Sequence, residues 1–260
     1  MIKTILFDLD DTLLWDKKSV ETAFQKTCAV AEEVHGLDPI KLEESVREAA
    51  SELYASYETY AFTQLIGINP FEGLWGTFDD ETDDFKKMYD IIPTYRKKAW
   101  EHGLTKLGIA DETFANDLAE RFIKERVKHP FVYEETYTTL DELHKNYQLI
   151  LLTNGAPSLQ EKKLTITPEL RAYFDHIIIS GAFGKGKPDP GIFDHAIELA
   201  KVEKEEAIMV GDNLMTDILG SNRAGIRNVW INRVNKKLTD VKPTYEINHL
   251  NELIPLIEKL

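Results

Sequence analysis

Hydrophobic and polar positions fall into two patterns along the chain. Short apolar runs rich in β-formers occupy residues 2–7, 149–152, 177–179, 207–210 and 229–231. Three of them stop abruptly: the first at Asp8, the second at Thr153-Asn154-Gly155, the fourth at Gly211-Asp212-Asn213. Runs of that length bounded by turn residues predict buried strands. Helical periodicity lies between them, over 138–146, 191–201 and 217–224. Gly225 is placed to close the last of these, and Asp189 followed by Pro190 is an N-cap and first-turn pair that opens the middle one. Buried strands alternating with helices predict an α/β fold, a parallel sheet covered by helices on both faces.

Residues 15–128 read differently. Long amphipathic patterns over 20–34, 42–65 and 113–127 come with no buried strand. This stretch is expected to be an all-helical module inserted after the first strand. Its aromatic residues, among them Tyr54, Tyr57, Tyr60, Phe62, Trp75 and Trp100, are expected to pack.

Composition narrows the function classes. The 260 residues carry a formal net charge of −14, with no Lys/Arg stripe interleaved with aromatics. Such a surface repels nucleic acid, so any anion site must be local. No apolar stretch approaches the ~20 residues of a membrane span. The first apolar run is too short for a secretory leader and meets Asp8, Asp10 and Asp11 at once. One cysteine, Cys28, allows no internal disulfide and no cysteine-based zinc cage. A cytoplasmic monomer or homodimer is expected. The acidic run 79–84 lacks the spaced ligands and central glycine of a calcium loop and reads as solvated.

Four segments at predicted strand ends carry the candidate chemistry, because ligands of open α/β sheets bind outside the carboxyl ends of strands. In Asp8-Leu9-Asp10-Asp11-Thr12, residues two apart point to one side of an extended chain. Asp8 and Asp10 can therefore face one reacting atom, and their repulsion calls for a divalent cation. Thr153 and Asn154 offer a hydroxyl and a backbone N–H suited to phosphate oxygens, though the same residues also make a good turn. Lys187, in Gly184-Lys185-Gly186-Lys187-Pro188-Asp189-Pro190, is a cation beside a helix N-terminus. Asp212 ends a strand and suits Mg²⁺, and Asp217 is either a second acidic group near the metal or a helix N-terminal residue complementing the dipole.

These segments, in this order, resemble the haloacid dehalogenase-like (HAD) hydrolase superfamily, phosphatase branch, over residues 1–14 and about 129–235. The resemblance implies a Rossmann-like catalytic core, residues 1–14 and 129–260, and a helical C1-type cap, residues 15–128. It implies that Asp8 is the nucleophile and Asp10 the general acid/base, and that Thr153 and Lys187 hold the phosphoryl group. Asp8, the carbonyl of Asp10 and Asp212 would bind Mg²⁺. Lys185 competes for the lysine position, but the family pattern puts the lysine directly before Pro-Asp-Pro. The cap position follows from spacing: 145 positions separate Asp8 from Thr153 and only 34 separate Thr153 from Lys187. Dehalogenases of the superfamily lack the second aspartate of the first motif, so Asp10 argues for phosphate chemistry. The expected partner is a small phosphorylated metabolite of the phosphoserine, phosphoglycolate, sugar phosphate or nucleoside monophosphate class. A phosphomutase on the same core, or a non-catalytic phosphate-binding regulator, are the alternatives. Lys17, Lys18 and Arg47 are candidate anion contacts with no motif behind them.

Overall fold

A computed structural model describes residues 1–238 and 240–260. The chain divides into two compact units. One comprises Met1–Trp15, Val132–Gly155 and Lys163–Leu260, the other Asp16–Phe131 and Ala156–Lys162.

The first unit is built on a six-stranded sheet, every pairing parallel: β1 (Thr4–Phe7), β2 (Gln148–Thr153), β3 (His176–Ile179), β4 (Ala207–Gly211), β5 (Arg227–Ile231) and β6 (Tyr245–Ile247). Their order is β3-β2-β1-β4-β5-β6, so the winding reverses between β1 and β4. Alternation along the strands divides the core. Ile5 and Phe7 of β1, with Leu149, Leu151, Ile208 and Val210, pack on one face with Leu140 and Leu143 of helix Thr136–Leu143. Leu6, Ile150, Leu152 and Met209 face the other way, onto Ile192, Phe193 and Ala196 of helix Pro190–Ala200. All of these side chains are buried. A strand apolar on both faces is what a sheet covered twice requires. Asp189 caps helix Pro190–Ala200 through the Gly191 N–H, and Gly225 closes helix Leu219–Ala224 at φ 76°. The α/β parallel sheet is thus the fold that the alternation of strands and helices predicts, and it is Rossmann-like as the family resemblance implies. β6 is the strand that the pattern did not announce.

The second unit is helical. Helix Asp16–His35 packs with helix Glu112–Lys128, and helix Pro39–Ser56 with helix Asp83–Lys106. Two expectations are corrected here. The periodicity over 42–65 is two helices, since Tyr57 turns extended (φ −81°, ψ 148°) before helix Tyr60–Ile66 begins. Helix Asp83–Lys106, at 24 residues, was not anticipated. The aromatics pack as expected: Phe24 meets Trp100 and Phe122 with centroids 5.9 and 4.6 Å apart. Arg47 lies over Phe24 and Phe71 and pairs with Glu43 at 2.8 Å, so its charge is already engaged. Asp80 accepts from the Ser158 N–H and hydroxyl at 2.8 and 2.7 Å, which ties segment Ala156–Lys162 to this unit. Among the described residues no helix is long and apolar enough to cross a membrane.

Candidate active site

Parallel pairing places the ends of β1 and β4 side by side. Phe7 is in register with Val210, and the Asp8 N–H donates to the Val210 carbonyl at 3.0 Å. The reversal point of the sheet, where such folds bind ligands, therefore receives Asp8 from one strand and Asp212 from the next. One carboxylate oxygen each of Asp8, Asp212 and Asp217 lie within 4.8 Å of one another. Burial pushes the Asp8 carboxyl up to about 6, against the opposing pull of Lys187, with Asp217 adding to the rise. Burial, then Asp217, Asp8 and Asp11, push Asp212 up to about 8.

Lys187 lies at the centre of the cluster. Its ammonium donates to Asp8 Oδ1 and to the Leu152 carbonyl, each at 2.7 Å, and is 2.7 Å from Asp217 Oδ1. Burial opposes its charge, but Asp217 and Asp8 outweigh that and hold its pKa above the usual lysine range. Its backbone is fixed too. Asn154 Nδ2 donates to the Lys187 carbonyl at 2.9 Å, and the Lys187 N–H donates to Asn154 Oδ1 at 2.8 Å. This clamp explains Gly186, where a Cβ would come within 2.8 Å of Asn154 Oδ1. It also gives the Asn154 side chain a defined task, holding the backbone of Lys187 from both sides. Lys185 is exposed and lies 3.7 Å from Asp189.

Asp217 sits in a π-helical turn, Leu214–Ile218, and accepts from the Asn213 N–H at 3.0 Å. A Cβ at Gly211 would fall 2.3 Å from Asp217 Oδ2, so the strand end must be glycine for this carboxylate to fold back. Thr153 is buried at the tip of β2. Asp10 is held differently: Lys163, 2% exposed, donates to its Oδ2 at 2.7 Å.

Three contributors had no assigned part in the sequence reading. Thr12 donates to Asp8 Oδ2 at 3.1 Å and accepts from the Asp212 N–H at 3.1 Å, joining the two strand ends. Arg233 donates to the Thr12 carbonyl at 3.1 Å and is anchored by Glu135 at 2.5 Å. Lys163 is the third. Thr12 stood inside the first motif and could have been found there; nothing near Lys163 or Arg233 marks them.

Fold and site together describe an α/β protein with buried carboxylates and a buried ammonium gathered where its parallel sheet reverses. The family model for haloacid dehalogenase-like hydrolases matches residues 2–225, and the chain belongs to that family. It is 32% identical over 253 residues to a phosphoserine phosphatase of Thermus thermophilus, covering 97% of this chain and 98% of that protein. It is 33% identical over 182 residues to the human N-acylneuraminate-9-phosphatase, covering 68% and 73%. Such relatives place it among the phosphatases of the family. Among solved structures, a 2-haloacid dehalogenase of Pseudomonas syringae is similar at 26% identity and TM-score 0.60, covering 100% of this chain and 99% of that one. The HAD-hydrolase YfnB of Bacillus subtilis shares the fold at 22% identity and TM-score 0.68, covering 98% of each chain.

The donor set fits a hard divalent cation, because the clustered groups are all carboxylate oxygens and Mg²⁺ prefers oxygen ligands. Raised carboxyl pKa values make the metal-free cluster a stability liability with a definite sign. An unfolded aspartate titrates near 3.9, so between about pH 4 and 8 the folded chain holds protons the unfolded chain has lost. Stability then falls as pH rises through that window. A cation bound to the deprotonated cluster removes the penalty. The expected result is a larger rise in Tm on adding Mg²⁺ at pH 8 than at pH 5, read by thermal melts of chelated protein. An equal gain at both pH values would show that the cluster is not where Mg²⁺ acts.

Proposed function

We propose that the chain is a magnesium-dependent phosphatase that hydrolyses a phosphate monoester of a small cytoplasmic metabolite through an aspartyl-phosphate on Asp8. The helical unit is the proposed cap domain. The observation that carries this reading is the buried Lys187 ammonium lying 2.7 Å from both Asp8 and Asp217, with Asp212 in the same cluster. A nucleophile, a cation and a hard-metal donor set converge there.

Asp8 is oriented in advance, one oxygen tied to Lys187 and the other to Thr12, which lowers the ordering cost of attack. An Asp8 oxygen forms a bond to phosphorus as the ester P–O bond breaks, and protonated Asp10 gives its proton to the leaving oxygen. Asp10, then a carboxylate, takes a proton from water as that water's oxygen bonds to phosphorus. The bond between Asp8 and phosphorus breaks, releasing inorganic phosphate and the free Asp8. Lys187, the Thr153 hydroxyl and the Asn154 N–H serve the phosphoryl oxygens. Lys163 fixes the orientation of Asp10 through its bond to Oδ2. Mg²⁺, which Asp8, the Asp10 carbonyl and Asp212 would hold, supplies further neutralisation of phosphoryl charge when bound. Asp217 supports the site by pairing with Lys187.

Asp10→Asn tests this scheme with p-nitrophenyl phosphate. Nitrophenolate leaves with little help from an acid, so the first step survives in part while the second lacks its base. The expected record is a burst of nitrophenolate, slow steady turnover and phosphate trapped on Asp8. With an alkyl phosphate the burst should nearly vanish. Equal damage to both substrates without a phosphoenzyme would remove Asp10 from the acid/base role. A wild-type protein inert toward every phosphate ester would overturn the function itself.

A further inference from the structure

The helical unit buries a second group of cations that the reaction scheme does not use. Arg126 lies on helix Glu112–Lys128 with its side chain 2% exposed. Its Nη2 is 2.6 Å from Asp16 Oδ1, whereas Nε and Nη1 are buried without a hydrogen-bond partner. A buried donor left unmade is costly, more so when charged, and a native fold that keeps two on one guanidinium calls for an explanation. The guanidinium lies over the ring of Trp75, 4.4 Å from its centroid, and Lys162 Nζ lies 4.8 Å from the same centroid. Lys162 also donates to the Trp75 carbonyl at 3.3 Å. Arg96 completes the group, donating to the carbonyls of Gly73 and Gly76.

The cations in this group act on one another. Burial lowers the hold of Lys162 on its proton, and Arg96 and Arg126 lower it further, with Asp79 opposing them. Three cations, Arg96, Arg126 and Lys162, gather here, with Asp16 paired to Arg126 and Asp79 acting on Lys162. Two unused N–H donors on one planar guanidinium, beside two further cations, suit the two oxygens of a planar carboxylate.

We propose that Arg126, Lys162 and Arg96, gathered about Trp75, form a binding site for the carboxylate group of a small metabolite. The carboxylate belongs to a free small-molecule ligand of the helical unit, so the site does not rest on the phosphatase reading.

The site is testable in the full chain. Arg126→Met removes the guanidinium beside Asp16 and can misfold, so the deciding variant is Lys162→Met, which removes a half-buried charge. D-glycerate raises the Tm of the wild type, as selective binding to the folded state must, and fails to raise that of Lys162→Met. Sodium chloride at matched ionic strength raises neither. A wild-type Tm unmoved by D-glycerate, or an equal rise in Lys162→Met, overturns the carboxylate site.

Discussion

Asp8→Asn is expected to abolish phosphatase activity, by at least about 10⁴-fold in kcat, since it removes the proposed nucleophile from a unit whose members are not additive. The amide cannot carry a phosphoryl group through the reaction, and it is a poorer ligand for Mg²⁺. Its shape is nearly that of the acid, so the fold has no reason to fail. Lys187 keeps Asp217 at 2.7 Å and the Leu152 carbonyl at 2.7 Å, and the Thr12 hydroxyl can still donate to the amide oxygen. Burial already pushes the Asp8 carboxyl up to about 6, so neutralising it relieves repulsion with Asp212 and Asp217. The metal-free variant should therefore melt at or above the wild-type temperature at pH 7.5. Steady-state assays with p-nitrophenyl phosphate, beside thermal melts, check both halves. A folded variant retaining a tenth of wild-type kcat would show that another group attacks phosphorus.

Lys187→Met damages activity and stability together. Loss of one preorganised donor to the phosphoryl group costs on the order of 10²–10³ in kcat. Removal of the ammonium also strands Asp8 and Asp217, both buried, and breaking a buried pair by deleting one partner typically costs about 3–5 kcal/mol. A substantial fall in Tm should accompany the kinetic loss. Lys185→Met is the control. That side chain is 58% exposed with one partner 3.7 Å away, an arrangement worth little, so both rate and Tm should stay near wild type. The reverse ranking would move the functional lysine by two residues.

The strand ends were legible because buried parallel strands are apolar on both faces and stop at polar or turn-forming residues. The positions of Asp8, Thr153 and Asp212 at or just beyond the ends of β1, β2 and β4 follow from that signature. Elements whose stability comes from partners rather than pattern were harder to see. β6 spans three residues, of which only Ile247 is buried. Helix Asp83–Lys106 opens in an acidic run that reads as loop and carries Pro93 in its interior, a residue that ordinarily ends helices. Asp217 was placed on a 3.6-residue period, whereas a π-helical turn carries it back over Gly211. The roles of Asn154, Lys163 and Arg233 rest on contacts 33, 153 and 221 residues away in the chain. No local pattern reports such distances.

The strand order has a consequence for how the molecule is made. β1 is synthesised before every other strand of its sheet, and its two neighbours, β2 and β4, come from residues 148–153 and 207–211. An apolar strand of the future core, with Asp8 at its end, must wait unpaired while all of Asp16–Phe131 is synthesised. Helical segments of that kind close mostly local contacts and form quickly, whereas long-range parallel pairing is slow. Domains generally fold as units during synthesis. The helical unit is therefore expected to be ordered on the nascent chain well before the sheet exists, and the carboxylate cluster comes together only after Asp217 has emerged. Until then the growing chain carries the proposed nucleophile without its partners, and it is expected to be catalytically silent.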